Sequence, residues 1–345
     1  MKLKESNSSY YITCLMSGAI ELGAVFLGMR MGHSLPGIIG LALAYQLGNV
    51  FRFFVTKKIS TYQNHIALLA TILSASVLVI RNMDLIVYLC LCLTLLLYST
   101  VLQNVRSAVQ GNIPRWKKRS CRVLGFVLSA LMYVLGPVLL LIFCVILLFY
   151  SISLDHFYYD DWLNNWIKGK YGERVCWSMV THQAHYFAYN YTMLVLVMRY
   201  FNNPFIASLW FAANWIPYTI TEPLVQKLKW DKWYAIALGA HIFNAIVLTG
   251  MYFYVDFSIT KALLLWVLTG FGGGNVFCIK KALSSKIKYD KNVWSFSEQL
   301  GHILGVLSAL VVALVSIPEK DAMLVAVAFA LVTVPIITER YRRKQ

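Results

Sequence analysis

Charge is scarce in this chain: only 13% of its 345 residues are Asp, Glu, Lys or Arg, and 15 acids stand against 31 bases. So few ionised side chains cannot clothe a water-exposed globular surface of this size. The seven cysteines (Cys14, Cys90, Cys92, Cys121, Cys144, Cys176, Cys278) include no CxxC pair and fall within apolar stretches or at their inner ends. That excludes a disulfide framework and a zinc knuckle, and leaves them as small apolar fillers. No GxxxxGK loop is present, so the chain carries no ATP-driven engine of its own; Gly270, Gly272, Gly273 and Gly274 form an intramembrane cluster suited to close packing or flexing.

What fills the chain instead is apolar: 59% hydrophobic residues and a mean hydropathy of +0.62. The apolar stretches are residues 11–31, 36–56, 63–80, 84–103, 120–135, 138–154, 176–199, 205–226, 233–254, 258–279, 293–316 and 322–338. Many approach the ~20 residues that cross ~30 Å of hydrocarbon. Threading them in order as twelve spans from an inner N-terminus places 26 of the 31 Lys and Arg on the cytoplasmic side. Arg30, Arg81, Arg199, Lys261 and Lys320 remain outside. Both termini are therefore expected in the cytoplasm, in a plasma membrane or bacterial inner membrane. The net charge of +16 then reflects basic loops facing anionic lipid, and no nucleic-acid partner is expected.

Residues 119–154 are short for two crossings. Two crossings nevertheless keep the later basic loops on the inner face, and Gly136 with Pro137 stands where a helix would break. Lys2 and Lys4 before the first apolar run imitate a signal peptide. That run is long, carries Glu21 and Arg30 and lacks a small-residue cleavage site, so it reads as the first span. The longest break in the apolar pattern divides the chain into a six-helix half at 1–154, a cytoplasmic linker at 155–175 and a second six-helix half at 176–345.

This all-α, 6+6 plan with both termini inside resembles the major facilitator superfamily in a compact form, over nearly the whole chain. Gly48, Arg52, Lys57 and Lys58 match the glycine and basic cluster of that family's loop after the second span; Arg52 stands where the family has an acid. Gly136 and Pro137 are similar to the glycine-proline element in the fifth span of its proton-driven exporters, without the flanking glycines. The resemblance implies alternating access about a midplane site. It is closer to exporters of drugs and metal-chelating metabolites than to sugar permeases.

Ionisable residues inside spans cost roughly 2.5–3.5 kcal/mol on insertion scales, so each is a functional candidate. Glu21 lies mid-span as either a proton-titrating or substrate-binding carboxylate, or a structural acid neutralised by Arg30 or a base of the second half. In the seventh span His182, His185, Tyr186 and Tyr189 share one helical face, suited to binding, proton coupling or helix packing through hydrogen bonds. HxxH on one face can ligate a metal, but no third ligand stands near in sequence, so no metal site is assigned. His241 lines a cavity or packs. Glu298 and His302 are four apart and can pair, while Glu298 can equally snorkel toward Lys291 or an inner loop. Gly301 and Gly305 form a GxxxG step for close packing. Glu222, before Pro223, is a gate contact or a plain helix-end acid.

The function expected is secondary active transport: proton-coupled export of a small polar or anionic solute, without cofactor, by a monomer whose partners are substrate, protons and membrane lipids. The competing reading is an integral-membrane enzyme acting on lipid-linked substrates through His182, His185, Asp160 and Asp161.

Overall fold

The computed structural model describes residues 7–55, 57–80, 84–109, 115–154, 161–226, 230–274, 276–284, 290–315 and 318–342. The described residues are overwhelmingly helical, with no strand among them. They separate into two compact units, Met1–Lys170 and Tyr171–Gln345.

The first unit contains α1 (Asn7–Arg30), α2 (Leu35–Phe51), the short α3 (Lys57–Ser60), α4 (Gln63–Val79), α5 (Asp84–Ala108), α6 (Arg115–Leu128), α7 (Ala130–Leu135), α8 (Pro137–Ser153) and the short α9 (Trp162–Ile167). Gly136, at φ +61°, takes a conformation that a Cβ would strain, and Pro137 opens α8 where its missing N–H costs nothing. The two residues therefore end α7 and start α8. α6 and α7 pack on α1, whereas α8 packs on α4. The expected interruption of 119–154 is thus a real helix boundary, with the flanking helices on different neighbours. α6 begins several residues before the apolar stretch at 120–135, because its first two turns are basic.

The second unit contains α10 (Trp177–Phe201), α11 (Pro204–Gln226), α12 (Trp230–Phe257), α13 (Ile259–Gly274), α14 (Val276–Ser284), α15 (Lys291–Leu314) and α16 (Ala322–Arg342). The turn at 202–204 follows from its residues. Asn202 ends α10 in the left-handed region, and the Asn203 side-chain oxygen accepts the Phe205 and Ile206 N–H groups at 2.9 and 3.1 Å, capping α11. Asp290 caps α15 in the same way through the Asn292 N–H.

Both units pair their helices in one order. In the first, α1 lies on α6, α2 on α5, and α4 on both α5 and α8; in the second, α10 lies on α15, α11 on α13, and α12 on both α13 and α16. Small residues permit the closest crossings. A Cβ at Gly18 would run into the Arg122 carbonyl and one at Gly125 into the Leu15 carbonyl, while Gly301 and Gly305 press on the Val180 and Ala184 carbonyls. The GxxxG step of α15 is therefore the contact surface for α10.

Seven helices among the described residues are long and apolar enough to cross a membrane: Ser8–Arg30, Leu35–Phe54, Asp84–Ala108, Trp233–Phe257, Ile259–Lys280, Lys291–Leu314 and Glu319–Glu339. Gln63–Val79 and Pro137–Ser153 are apolar but shorter. α10 is long enough yet is not among the seven, since it carries histidines, tyrosines and asparagine in its middle. Nearly all of it is buried among other helices, which spares those groups the lipid.

Candidate functional site

In the first unit the close α1–α6 crossing decides what Glu21 meets. Gly18 lies one turn before Glu21 and Gly125 one turn after Arg122, so the helices touch beside both side chains. The Arg122 guanidinium donates to the Glu21 carboxylate; Glu21 is 1% exposed and Arg122 26%. Arg122 also lies 5.8 Å from the Phe126 ring centre. The cation that neutralises Glu21 is thus Arg122 on the neighbouring helix α6 rather than Arg30. Arg30 instead donates to the Tyr133 carbonyl at 2.9 Å, tying the end of α1 to α7. Tyr45 lies against α1 near the pair, its hydroxyl 3.2 Å from the Ser17 carbonyl.

In the second unit α10 presents His182 and His185 toward α12, which supplies His241. The three rings are buried, with centroids 5.1, 5.0 and 5.6 Å apart for the pairs 182–185, 182–241 and 185–241. His182 Nδ1 lies 2.9 Å from His241 Nε2, and His241 Nδ1 lies 2.5 Å from the Ala237 carbonyl. A carbonyl only accepts, so His241 carries its proton on Nδ1, and its Nε2 lone pair faces His182 Nδ1. Asn244, one turn along α12, approaches His185 Nε2 with its amide nitrogen at 3.0 Å. One nitrogen from each ring can be chosen so that all three lie within 4.8 Å of one another, the spacing of a prospective metal site. His241 is the third imidazole that the linear sequence could not place, because it lies 59 residues from His182.

Tyr186 and Tyr189 share the α10 surface with the histidines but point their hydroxyls elsewhere. Tyr186 donates to the Asn214 side-chain oxygen, and Tyr189 donates to Thr269 Oγ1 at 2.7 Å. The Asn214 amide donates to Thr269 Oγ1 at 2.9 Å and to the Trp266 carbonyl, which also accepts from Thr269 at 2.6 Å. Trp266 Nε1 donates to Asn190 Oδ1 at 2.9 Å. This buried network joins α10, α11 and α13, and both tyrosine hydroxyls are engaged within it.

Glu298 forms an ion pair with Lys280 of α14, the inner-loop alternative to Lys291, and His302 lies against the Phe187 ring with centroids 3.9 Å apart. Gly48 carries the α2–α5 contact: a Cβ there would strike Ser99 and the Leu96 carbonyl, and the Gly48 carbonyl accepts from Thr100 at 3.1 Å. Arg52 stacks over Phe53 at 4.5 Å. Lys57 and Lys58 are exposed on α3. The backbone at Glu222 and Pro223 is helical within α11, but their side chains lie outside the described residues. Asp160 also lies outside them, while Asp161 accepts from Asn164 at 2.6 Å beside the start of α9.

No family model and no curated protein sequence matches the chain. Solved structures do. The nucleoside transporter NupG aligns with 98% of this chain and 100% of its own at 12% identity and a TM-score of 0.64. A bacterial metal transporter aligns with 96% of this chain and 97% of its own at 10% identity and a TM-score of 0.65. A bacterial homologue of the iron transporter ferroportin, in an inward-facing state, covers 97% and 99% at 10% identity and a TM-score of 0.64. The likeness spans almost every residue of each protein, and the chain therefore has the fold of major-facilitator-type transporters, as its span pattern leads one to expect.

Proposed function

We propose that this chain is a secondary active transporter. In this reading twelve crossings form two six-helix halves, residues 1–154 and 176–345, joined by a cytoplasmic linker at 155–175, with both termini inside. A small polar or anionic solute is exported by alternating access as one half rocks against the other. The observation that carries the proposal is the whole-length fold likeness to transporters. The shared helix-pairing order of the two units supports the repeat that rocking requires. These structural neighbours are named for nucleosides and for iron or metal, so the architecture hosts solutes of very different chemistry.

Glu21 is the proton carrier in this proposal. Its carboxylate is held by Arg122 in a site nearly closed to solvent, so taking up a proton removes the attraction and frees the α1–α6 contact to adjust. The Glu298–Lys280 pair offers a second, more exposed latch between α15 and α14. His182 and His185 supply ligand contacts from α10, with Tyr186 and Tyr189 fixing the helix that carries them. Gly48, Arg52, Lys57, Lys58, Gly136, Pro137 and Glu222 are assigned to gating and loop movement.

The test is flux in proteoliposomes loaded with nucleosides, organic anions and metal chelates, under an imposed pH gradient. The expected result is gradient-driven movement of at least one solute class, with Glu21→Gln retaining folding but losing the dependence on the gradient. Movement that ignores the gradient in both proteins would remove Glu21 from the proton path.

A further inference from the structure

We infer that His182, His185 and His241 form a binding site for a first-row divalent transition-metal ion of the Zn²⁺ or Co²⁺ type. The inference deepens the reading of the α10 histidines as ligand contacts. It is independent of any flux.

The donor set comes first. Three neutral imidazoles offer only nitrogen, which suits borderline metals and poorly suits Mg²⁺ or Ca²⁺, whose shells are oxygen. Metal–nitrogen bonds of about 2.0–2.1 Å at tetrahedral angles set donor atoms about 3.3 Å apart. The three donors here lie within 4.8 Å of one another, so side-chain rotation of the order of 1 Å closes the set. The ligands come from two helices, α10 and α12.

The outer contacts already have the form metal sites use. A ligating histidine commonly donates its second N–H to a carbonyl or carboxylate, which fixes the tautomer and leaves the other nitrogen free. His241 does this through Nδ1 and the Ala237 carbonyl at 2.5 Å, aiming its Nε2 lone pair at His182.

The orphaned atoms supply a second, independent observation. His185 is 0% exposed and Asn244 1%, yet His185 Nδ1 and Asn244 Oδ1 have no hydrogen-bond partner. Turning the Asn244 amide over lets its oxygen accept from a proton on His185 Nε2, but leaves Nδ1 as a bare lone pair and strands the amide nitrogen instead. In either arrangement at least one buried polar atom of the pair stays without a partner. Gly272 leaves the space in which this amide sits: any Cβ there would overlap the Asn244 carboxamide. Asn244 acts as a positioning residue for His185.

The test uses the full chain, tag-free and stripped with chelator in detergent, titrated with Co²⁺ and Zn²⁺ and with Mg²⁺ as control. Equilibrium dialysis with elemental analysis should give one Co²⁺ or Zn²⁺ per chain and no retained Mg²⁺, and the Co²⁺ form should show the visible ligand-field bands of a low-coordinate nitrogen site. His241→Ala and His182→Ala should each weaken binding by at least about tenfold, while Asp256→Asn, about four turns from His241 along α12 and paired there with Lys320, should not change it. Should a histidine variant fail to fold, X-ray absorption of the Zn²⁺-loaded wild type reads the ligands directly, and about three imidazoles are expected. Absence of tight binding, or a bound metal surrounded by oxygen alone, or binding indifferent to His241→Ala would overturn the assignment. Because no flux is measured, that failure would leave the transport reading to its own assay.

Discussion

At the residue scale the structure turns on a few buried polar groups whose partners come from distant sequence. Breaking a buried ion pair from one side leaves an uncompensated charge, whereas removing both sides does not. Arg122→Ala should therefore destabilise the protein by about 3 kcal/mol, and Glu21→Gln in the same background should recover part of that loss. Thermal unfolding of both singles and the double in detergent checks this; strictly additive effects would mean the two side chains do not interact. Thr269 makes a second test. Its hydroxyl accepts from Tyr189 and Asn214 while donating to the Trp266 carbonyl, so Thr269→Val strands two buried donors. A loss of about 1–3 kcal/mol is expected, larger than the effect of Tyr189→Phe, which removes one bond together with its donor.

At the element scale the close crossings set what a helix tolerates. A methyl group at Gly301 would press on the Val180 carbonyl, which cannot rotate away. Gly301→Ala should cost about 1–3 kcal/mol through overpacking of α15 on α10. Gly239 on α12 is the matched control, since nothing lies within 4 Å of its added Cβ. Gly239→Ala should leave stability unchanged or raise it by up to about 1 kcal/mol through helix propensity. Comparing the two melting temperatures separates packing from propensity. At the α7–α8 boundary, Gly136→Ala forces a Cβ into the left-handed region and toward Arg30, and should cost about 1–2 kcal/mol by the same measurement.

At the scale of the whole molecule, charge and span order together determine a threading. If both termini are cytoplasmic, single cysteines replacing Lys58 and Lys117 should be shielded from an impermeant thiol reagent applied to intact cells, while those replacing Asn203 and Lys320 should react. The native cysteines give a low background, since Cys14, Cys144, Cys176 and Cys278 are buried and Cys90, Cys92 and Cys121 are partly so. Labelling of the opposite set would invert the threading and with it the proposed direction of export.

The amino-acid sequence by itself determined the class of this protein. Apolar length and the bias of Lys and Arg are local, additive properties, and they survive without knowledge of contacts. The stretch at 205–226 became Pro204–Gln226 and that at 63–80 became Gln63–Val79. The start of α6 was missed because its basic first turns depress hydropathy while remaining helical. The shared face of His182 and His185 was legible from helical spacing, and so was the tight packing of Gly301 and Gly305. Only the tertiary structure decided the partners. Arg122 reaches Glu21 across 101 residues, and His241 completes the imidazole cluster across 59. Such pairings depend on which helix packs on which and at what depth, and those depend on the small residues at the crossings rather than on the polar groups that meet there.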